Sequence, residues 1–166
     1  MVGTDRIIVL MGVSGCGKSL VGKGLSDELG FQFIEGDDFH SLSSKKKMAA
    51  GIPLNDEDRE GWLCRLRDLF HDSNKPLIAS CSSLKKSYRN LLNSKSSGLL
   101  FIHLHGSERV IAERLEGRSD HFFNPQLLAS QFTTLETLQP DENGFEINVD
   151  QAPHLVVAQI ISRLKH

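Results

Sequence analysis

A doubly wound α/β fold, with a parallel five-stranded sheet and helices on both faces, is what this sequence predicts, on three observations. Short apolar, β-branched runs alternate with amphipathic stretches along the chain. A glycine-rich turn, "GVSGCGKS" at 12–19, joins the first apolar run to the first amphipathic stretch. The length, 166 residues of which 39% are hydrophobic and 24% charged, suits one globular domain, 1–166, with a sizeable core.

The elements follow in order. "RIIVLMG" (6–12) reads as the first strand and "KSLVGKGLSDEL" (18–29) as the first helix. "FQFIEG" (31–36) is a second strand. A helix over "DEDREGWLCRLRDLFHD" (56–72) carries Trp62, Leu63, Leu66, Leu69 and Phe70 on one stripe, with Asp56 capping its start. "PLIASC" (76–81) and "LLFIHLHG" (99–106) are strands, separated by a helix at 84–94. A helix at 107–117, a strand "FEINV" (145–149) and a helix at 154–165 complete the alternation. Two stretches are too long for plain crossovers. The first, 37–75, is expected to be an acceptor-binding insert, and the second, about 114–144, a lid over the ligand edge of the sheet.

Composition removes several functions. A net charge of −2 leaves no basic excess to hold a polyanion, so nucleic acid is not an expected partner, and the lysines at 45–47 read as a solvated helix face. No apolar run approaches the ~20 residues that span a bilayer, and the first residues lack the pattern of a secretory leader. A cytoplasmic protein without membrane partners is expected. The three cysteines, Cys16, Cys64 and Cys81, have no CxxC spacing, which argues against a disulfide framework or a zinc site. His103 and His105 share a strand face, yet no third ligand stands at metal-binding spacing.

The glycine-rich turn matches G-x-x-x-x-G-K-[ST], the phosphate-binding P-loop, at Gly12, Gly17, Lys18 and Ser19. Its residues Gly12, Val13, Ser14, Gly15, Cys16, Gly17, Lys18 and Ser19 are therefore expected to bind ATP. Glycines let the backbone wrap phosphate and turn its N–H groups inward, and the helix that begins near Lys18 adds its positive end. Lys18 would neutralise the β- and γ-phosphates, and the Ser19 hydroxyl would ligate Mg²⁺. No base-reading N-K-x-D accompanies the loop, and neither "LLFIHLHG" nor "PLIASC" ends in the aspartate of a motor ATPase. A small kinase is favoured. Asp37 in "EGDDFH", just past the second strand, is placed to orient an acceptor hydroxyl and take its proton, while Asp38 caps the next segment.

The motifs "MGVSGCGKS", "EGDDFH", "KKMAAGIPLNDEDREGWL", "CSSLKKSYRNLL", "FIHLHG", "RSDHFF" and "LLASQFTTLE" resemble, in order and spacing, those of the gluconokinases, small P-loop kinases. The resemblance covers nearly the whole chain. It implies a P-loop kinase fold and ATP-dependent phosphorylation of D-gluconate at its terminal hydroxyl, giving 6-phosphogluconate, by a homodimer. A polyol ending in a carboxylate needs a hydroxyl-facing carboxylate and a cation. Asp37 and His40 suit the hydroxyls, Arg59 offers a planar fork for the carboxylate, and Lys47, Lys85 and Arg89 are further candidate cations. Arg59 as a mere partner of the helical acids at 55–58 is the competing reading. Arg114 and Arg118, four apart, are expected to reach the ATP phosphates from the lid, with Lys18, Asp37 and Arg118 as the catalytic set. "NVDQAP" (148–153) would border the adenine.

The chain departs from the family pattern at Ser41, Ser44, Gly61 and Ser83, which stand where proline, asparagine, proline and alanine are usual, and at Cys16 in place of serine. A thiol beside Lys18 at a helix start is expected to be reactive, with ATP protecting it. Another small-acceptor kinase, for shikimate or a nucleotide, and a non-turning nucleotide-binding module are the alternatives. Intact Lys18, Ser19 and Asp37 argue against the latter.

Overall fold

The structure, a computed structural model, describes residues 6–96, 98–117 and 125–166. Five strands form one parallel sheet: β1 (Ile7–Met11), β2 (Gln32–Glu35), β3 (Leu77–Ser80), β4 (Leu100–His105) and β5 (Gly144–Asn148), in the order β2-β3-β1-β4-β5. Central β1 is flanked on both edges, with Val9 beside Ala79 of β3 and Leu10 beside Ile102 of β4. Its Ile8, Val9, Leu10 and Met11 are wholly buried, which is why this strand reads as a continuous apolar run rather than an alternating one.

The helices are α1 (Lys18–Leu29), α2 (Leu42–Ala49), α3 (Asp56–Asp72), α4 (Lys86–Leu92), α5 (Glu108–Glu116), α6 (Pro125–Thr134) and α7 (Pro153–Leu164). From β1 the chain runs to β2 on one side, then returns through β3 to β4 and β5 on the other. Right-handed crossovers in opposite directions put their helices on opposite faces. Accordingly α1 packs with α7, while α3 packs with α4. The reversal occurs at β1, so the crevice beyond its carboxyl end is where this topology accommodates a ligand.

The strands and most helices lie within one or two residues of their expected bounds, and the differences have local causes. Asn55, not Asp56, caps α3: its side chain accepts from the Asp58 N–H while the Asp58 carboxylate accepts from the Asn55 N–H. Asp38 does not cap α2. It falls inside a 3₁₀ turn over Gly36–Phe39, and Ser41, one of the family departures, caps α2 by accepting from the Ser44 N–H at 3.0 Å.

Candidate active site

The site begins with the turn that leaves β1. Gly17 adopts φ 97°, a conformation open to glycine at little cost, and stands at the N-cap of α1 with no side chain capping it and no acid in the first turn. The start of α1 is thus left open for an anion. The Lys18 ammonium folds back over the loop and donates to the Gly12 and Val13 carbonyls, each at 2.9 Å. Cys16 is covered, 1% exposed, with its Sγ 3.9 Å from Lys18 Nζ. The thiol expected to be reactive is therefore buried, although Cys16 borders the cavity beside the loop.

Strand β2 delivers two carboxylates to the same place. Gly36 lets the chain turn hard against β3, where a Cβ would come within 1.9 Å of the Ser80 carbonyl oxygen. On one side of this turn the Glu35 carboxylate accepts from the Ser19 hydroxyl and from the Ser80 hydroxyl, both at 2.5 Å. On the other side Asp37 faces a cavity of about 340 Å³ that Ser14, Lys18, His40, Arg59 and Trp62 also line. Burial pushes the Asp37 carboxyl above its ordinary range, Lys18 draws it down and Glu35 pushes it up again. Because 74% of the Asp37 side chain meets solvent, water in the open cavity screens that upward push.

Trp62 holds the far wall. Its indole N–H donates to the Gly36 carbonyl at 2.8 Å, and its ring stacks on His40 with centroids 3.9 Å apart. His40 is buried, and burial together with Arg59, Arg65 and Lys45 pushes its pKa down to about 4, so it is neutral near pH 7. Its Nε2 lies 3.7 Å from Asp37, and its Nδ1 has no hydrogen-bond partner among the described residues. A neutral imidazole with spare capacity beside a carboxylate suits hydroxyl groups. Arg59, only 8% exposed, donates to the Tyr88 hydroxyl at 3.0 Å and lies over that ring, and Tyr88 in turn donates to Asp56. Its hydrogen-bond partner is thus the α4 tyrosine, through which it is linked to Asp56 of its own helix.

Three expected cations have other partners. Lys47 pairs with Asp58 at 2.8 Å, and Lys85 pairs with Asp56 at 3.0 Å. Arg89 departs furthest from expectation. It is 1% exposed, its Nε and Nη2 donate to the two oxygens of Glu142 at 2.6 and 3.0 Å, and its remaining N–H groups reach the Ser83, Glu136 and Thr137 carbonyls. A guanidinium with every donor engaged away from the cavity is a structural clamp, not a free acceptor-binding cation.

A second cavity, about 360 Å³, opens on the other side of the loop between Gly15, Gly17 and Leu20 and the turn Gln151–Pro153. Arg114 stands at its edge, where its Nη2 donates to the Val149 carbonyl at 2.5 Å. The expected adenine border, 148–153, contributes to this wall. Arg118 lies outside the described residues. His103 and His105 are tilted rings 5.8 Å apart, His103 Nδ1 is 3.3 Å from Glu146, and no group of three metal-binding side chains occurs among the described residues.

Glu35, Trp62 and Gln131 of α6, which touches the loop at Ser14, are site residues that sequence reasoning missed. Glu35 had a readable signal, an acid ending a strand, but on β2 rather than β3 or β4. Ser19 and Glu35 together offer the hard oxygen donors that Mg²⁺ takes, so the residues present fit that ion.

Comparison with known proteins gives the family. Thermoresistant gluconokinase of Escherichia coli is 43% identical over 164 residues, 96% of this chain and 94% of that protein. The chain is a member of the gluconokinase family. A probable gluconokinase of Rattus norvegicus is 40% identical over 98% of this chain and 99% of its own length. The crystal structure of a gluconokinase from Sinorhizobium meliloti superimposes with a TM-score of 0.91 at 40% identity, covering 98% of this chain and 93% of that one. The shikimate kinase family model also matches, over residues 14–165, so this gluconokinase-family chain shares the wider frame of small P-loop kinases.

Proposed function

We propose that this protein transfers the γ-phosphoryl group of ATP to the terminal hydroxyl of D-gluconate. The observation that carries the reading is the convergence of Lys18, Asp37, His40 and Arg59 on one cavity beside the phosphate loop. Arg59 meets the acceptor carboxylate, held in place by Tyr88; His40 and Asp37 meet its hydroxyls. The acceptor oxygen attacks the γ-phosphorus as the bond to the β–γ bridging oxygen breaks, ADP leaves, and the hydroxyl proton passes to Asp37. Lys18 leaves the loop carbonyls to neutralise the phosphates. Mg²⁺, bound at the Ser19 hydroxyl with Glu35 behind it, would supply further charge neutralisation. The base end of ATP enters the cavity walled by Gln151, Ala152 and Pro153, with Arg114 at its edge.

In the same reading 37–75 is the acceptor insert, 114–144 the lid, the cytoplasm the compartment where ATP is at hand, and a homodimer the assembly, which light scattering of the purified protein tests. ADP release measured in parallel with D-gluconate, shikimate, nucleoside monophosphates and no acceptor tests the substrate. Turnover with gluconate is expected; turnover with shikimate instead would overturn it. Asp37→Ala should lower turnover about 10² to 10⁴-fold and alter ATP affinity far less; unchanged turnover would remove Asp37 from the base role.

A further inference from the structure

One side chain of α6 makes a matched pair of hydrogen bonds to the phosphate loop. The Oε1 of Gln131 accepts from the Ser14 backbone N–H at 2.7 Å, and its Nε2 donates to the Ser14 hydroxyl at 3.0 Å. Gln131 and Ser14 both line the acceptor cavity, together with Lys18 and Asp37. The contact therefore lies where the loop, the lid helix and the acceptor meet.

The rest of the segment explains why a single side chain can matter. Beyond α6 the chain is fixed by the Glu136 N–H donating to the Leu84 carbonyl at 2.7 Å and by the Arg89 donors that reach Glu136 and Thr137. Within α6, Leu128 is 2% exposed and seats the helix against the core. The helix is thus seated on the core on both sides of Gln131, by Leu128 and by Phe132, and Gln131 is the side chain that joins it to the loop. Leu127 and Ser130 on the same helix form part of the acceptor cavity wall, so the bond from Gln131 to Ser14 sets the spacing between that wall and the loop.

We infer that Gln131 is a positioning residue for phosphoryl transfer: its two-point bond to Ser14 closes the acceptor cavity against the phosphate loop and so favours the acceptor hydroxyl over water as the nucleophile. This rests on the kinase reading of the site. With the latch broken, a water oxygen attacks the γ-phosphorus and its proton passes to Asp37, the bond to the β–γ bridging oxygen breaks, and ADP and inorganic phosphate leave. Loss of the latch should raise hydrolysis relative to transfer, whereas loss of folded protein lowers both together.

The test compares wild type, Gln131→Leu, Gln131→Met and Ser14→Ala, measuring phosphate release without acceptor and phosphorylated gluconate formed with it. For Gln131→Leu the ratio of hydrolysis to transfer should rise roughly tenfold or more and the KM for gluconate severalfold, with the KM for ATP changed less than about twofold. Ser14→Ala keeps the backbone N–H bond and should show a smaller rise, and the double variant should be no worse than Gln131→Leu alone. If Gln131→Leu does not fold, Gln131→Met, of similar length and shape but without either hydrogen-bonding group, should move the ratio in the same direction. An unchanged ratio, including one in which both rates fall together, overturns the inference. Wild type that transfers to no gluconate sinks the substrate reading instead; acceptor-free hydrolysis that rises in Gln131→Leu still supports the latch, and hydrolysis that does not rise refutes it.

Discussion

Replacing Arg89 separates two accounts of that residue. As a cation waiting for the acceptor, Arg89→Met would leave stability intact and raise the KM for gluconate. As the clamp seen here it ties Ser83 and Leu84 to 136–142 and pairs with Glu142 at side-chain exposures of 1% and 8%. Removing one partner of such a buried pair strands the other charge and costs about 3 to 5 kcal/mol. For a chain of this size, where 1 kcal/mol moves the midpoint about 2 to 4 °C, the melting temperature should fall by roughly 6 to 20 °C. Thermal unfolding followed by circular dichroism reads this directly. Arg89→Met with Glu142→Leu should recover part of the loss, because no lone carboxylate remains buried. Acidity supplies an internal control. Burial raises the Glu142 pKa, but the Arg89 hydrogen bonds and the Gln139 N–H outweigh it and hold the group below its ordinary value. Its contribution is complete above the unfolded carboxylate range and is lost as pH falls through the folded pKa, so the gap between wild type and Arg89→Met should narrow in acid. A variant melting like wild type with only the gluconate KM raised would refute the clamp.

Three other outcomes are expected. Glu35→Gln keeps a hydrogen-bond acceptor for Ser19 but removes the charge behind it, and should lower activity about 10 to 100-fold with partial recovery at high Mg²⁺; a Mg²⁺ dependence like that of wild type would exclude Glu35 from the metal site. Gly61 stands exposed in the interior of α3, where an added Cβ meets only Arg65 Nη1 at 3.4 Å, so Gly61→Ala should stabilise by about 1 kcal/mol in urea unfolding, and a destabilised variant would contradict that helix geometry. His40 and His103 are both pushed below the ordinary histidine pKa, chiefly by burial, so the unfolded chain binds protons that the folded one does not. The His40 stabilisation is complete above about pH 6.5 and is lost as pH falls towards 4, and that of His103 is lost in the same direction; thermal midpoints should drop as the solution is acidified and drop less in His40→Gln.

What was legible in the sequence was local or periodic. The strand-helix alternation gave the sheet, and the loop needed only eight consecutive residues. Asp37 could be read because β2 ends beside the loop in any sheet of this kind. The rest depends on contacts between distant segments. Arg89 has the same chemistry whether it meets a substrate or Glu142, and its partner is 53 positions away. Gln131 is one polar residue of a short helix until the fold brings it to Ser14, 117 positions earlier. Trp62 lies on the apolar stripe of α3, so its pattern spoke only for the core; its stacking on His40 and its bond to Gly36 arise from the turn after β2. The cap of α3 was misplaced by one residue because Asn55 and Asp56 are both good caps, and only the reciprocal bond with Asp58 distinguishes them.

The central claim is that the Asp37–Arg59 cavity presents the terminal hydroxyl of gluconate to ATP. The most direct measurement is the identity of the product formed by the purified protein from Mg-ATP and D-gluconate, by mass spectrometry and phosphorus NMR. A single phosphomonoester on the terminal carbon, formed in step with ADP, is the predicted result. Phosphate on another hydroxyl, or ADP released with inorganic phosphate alone, would contradict it.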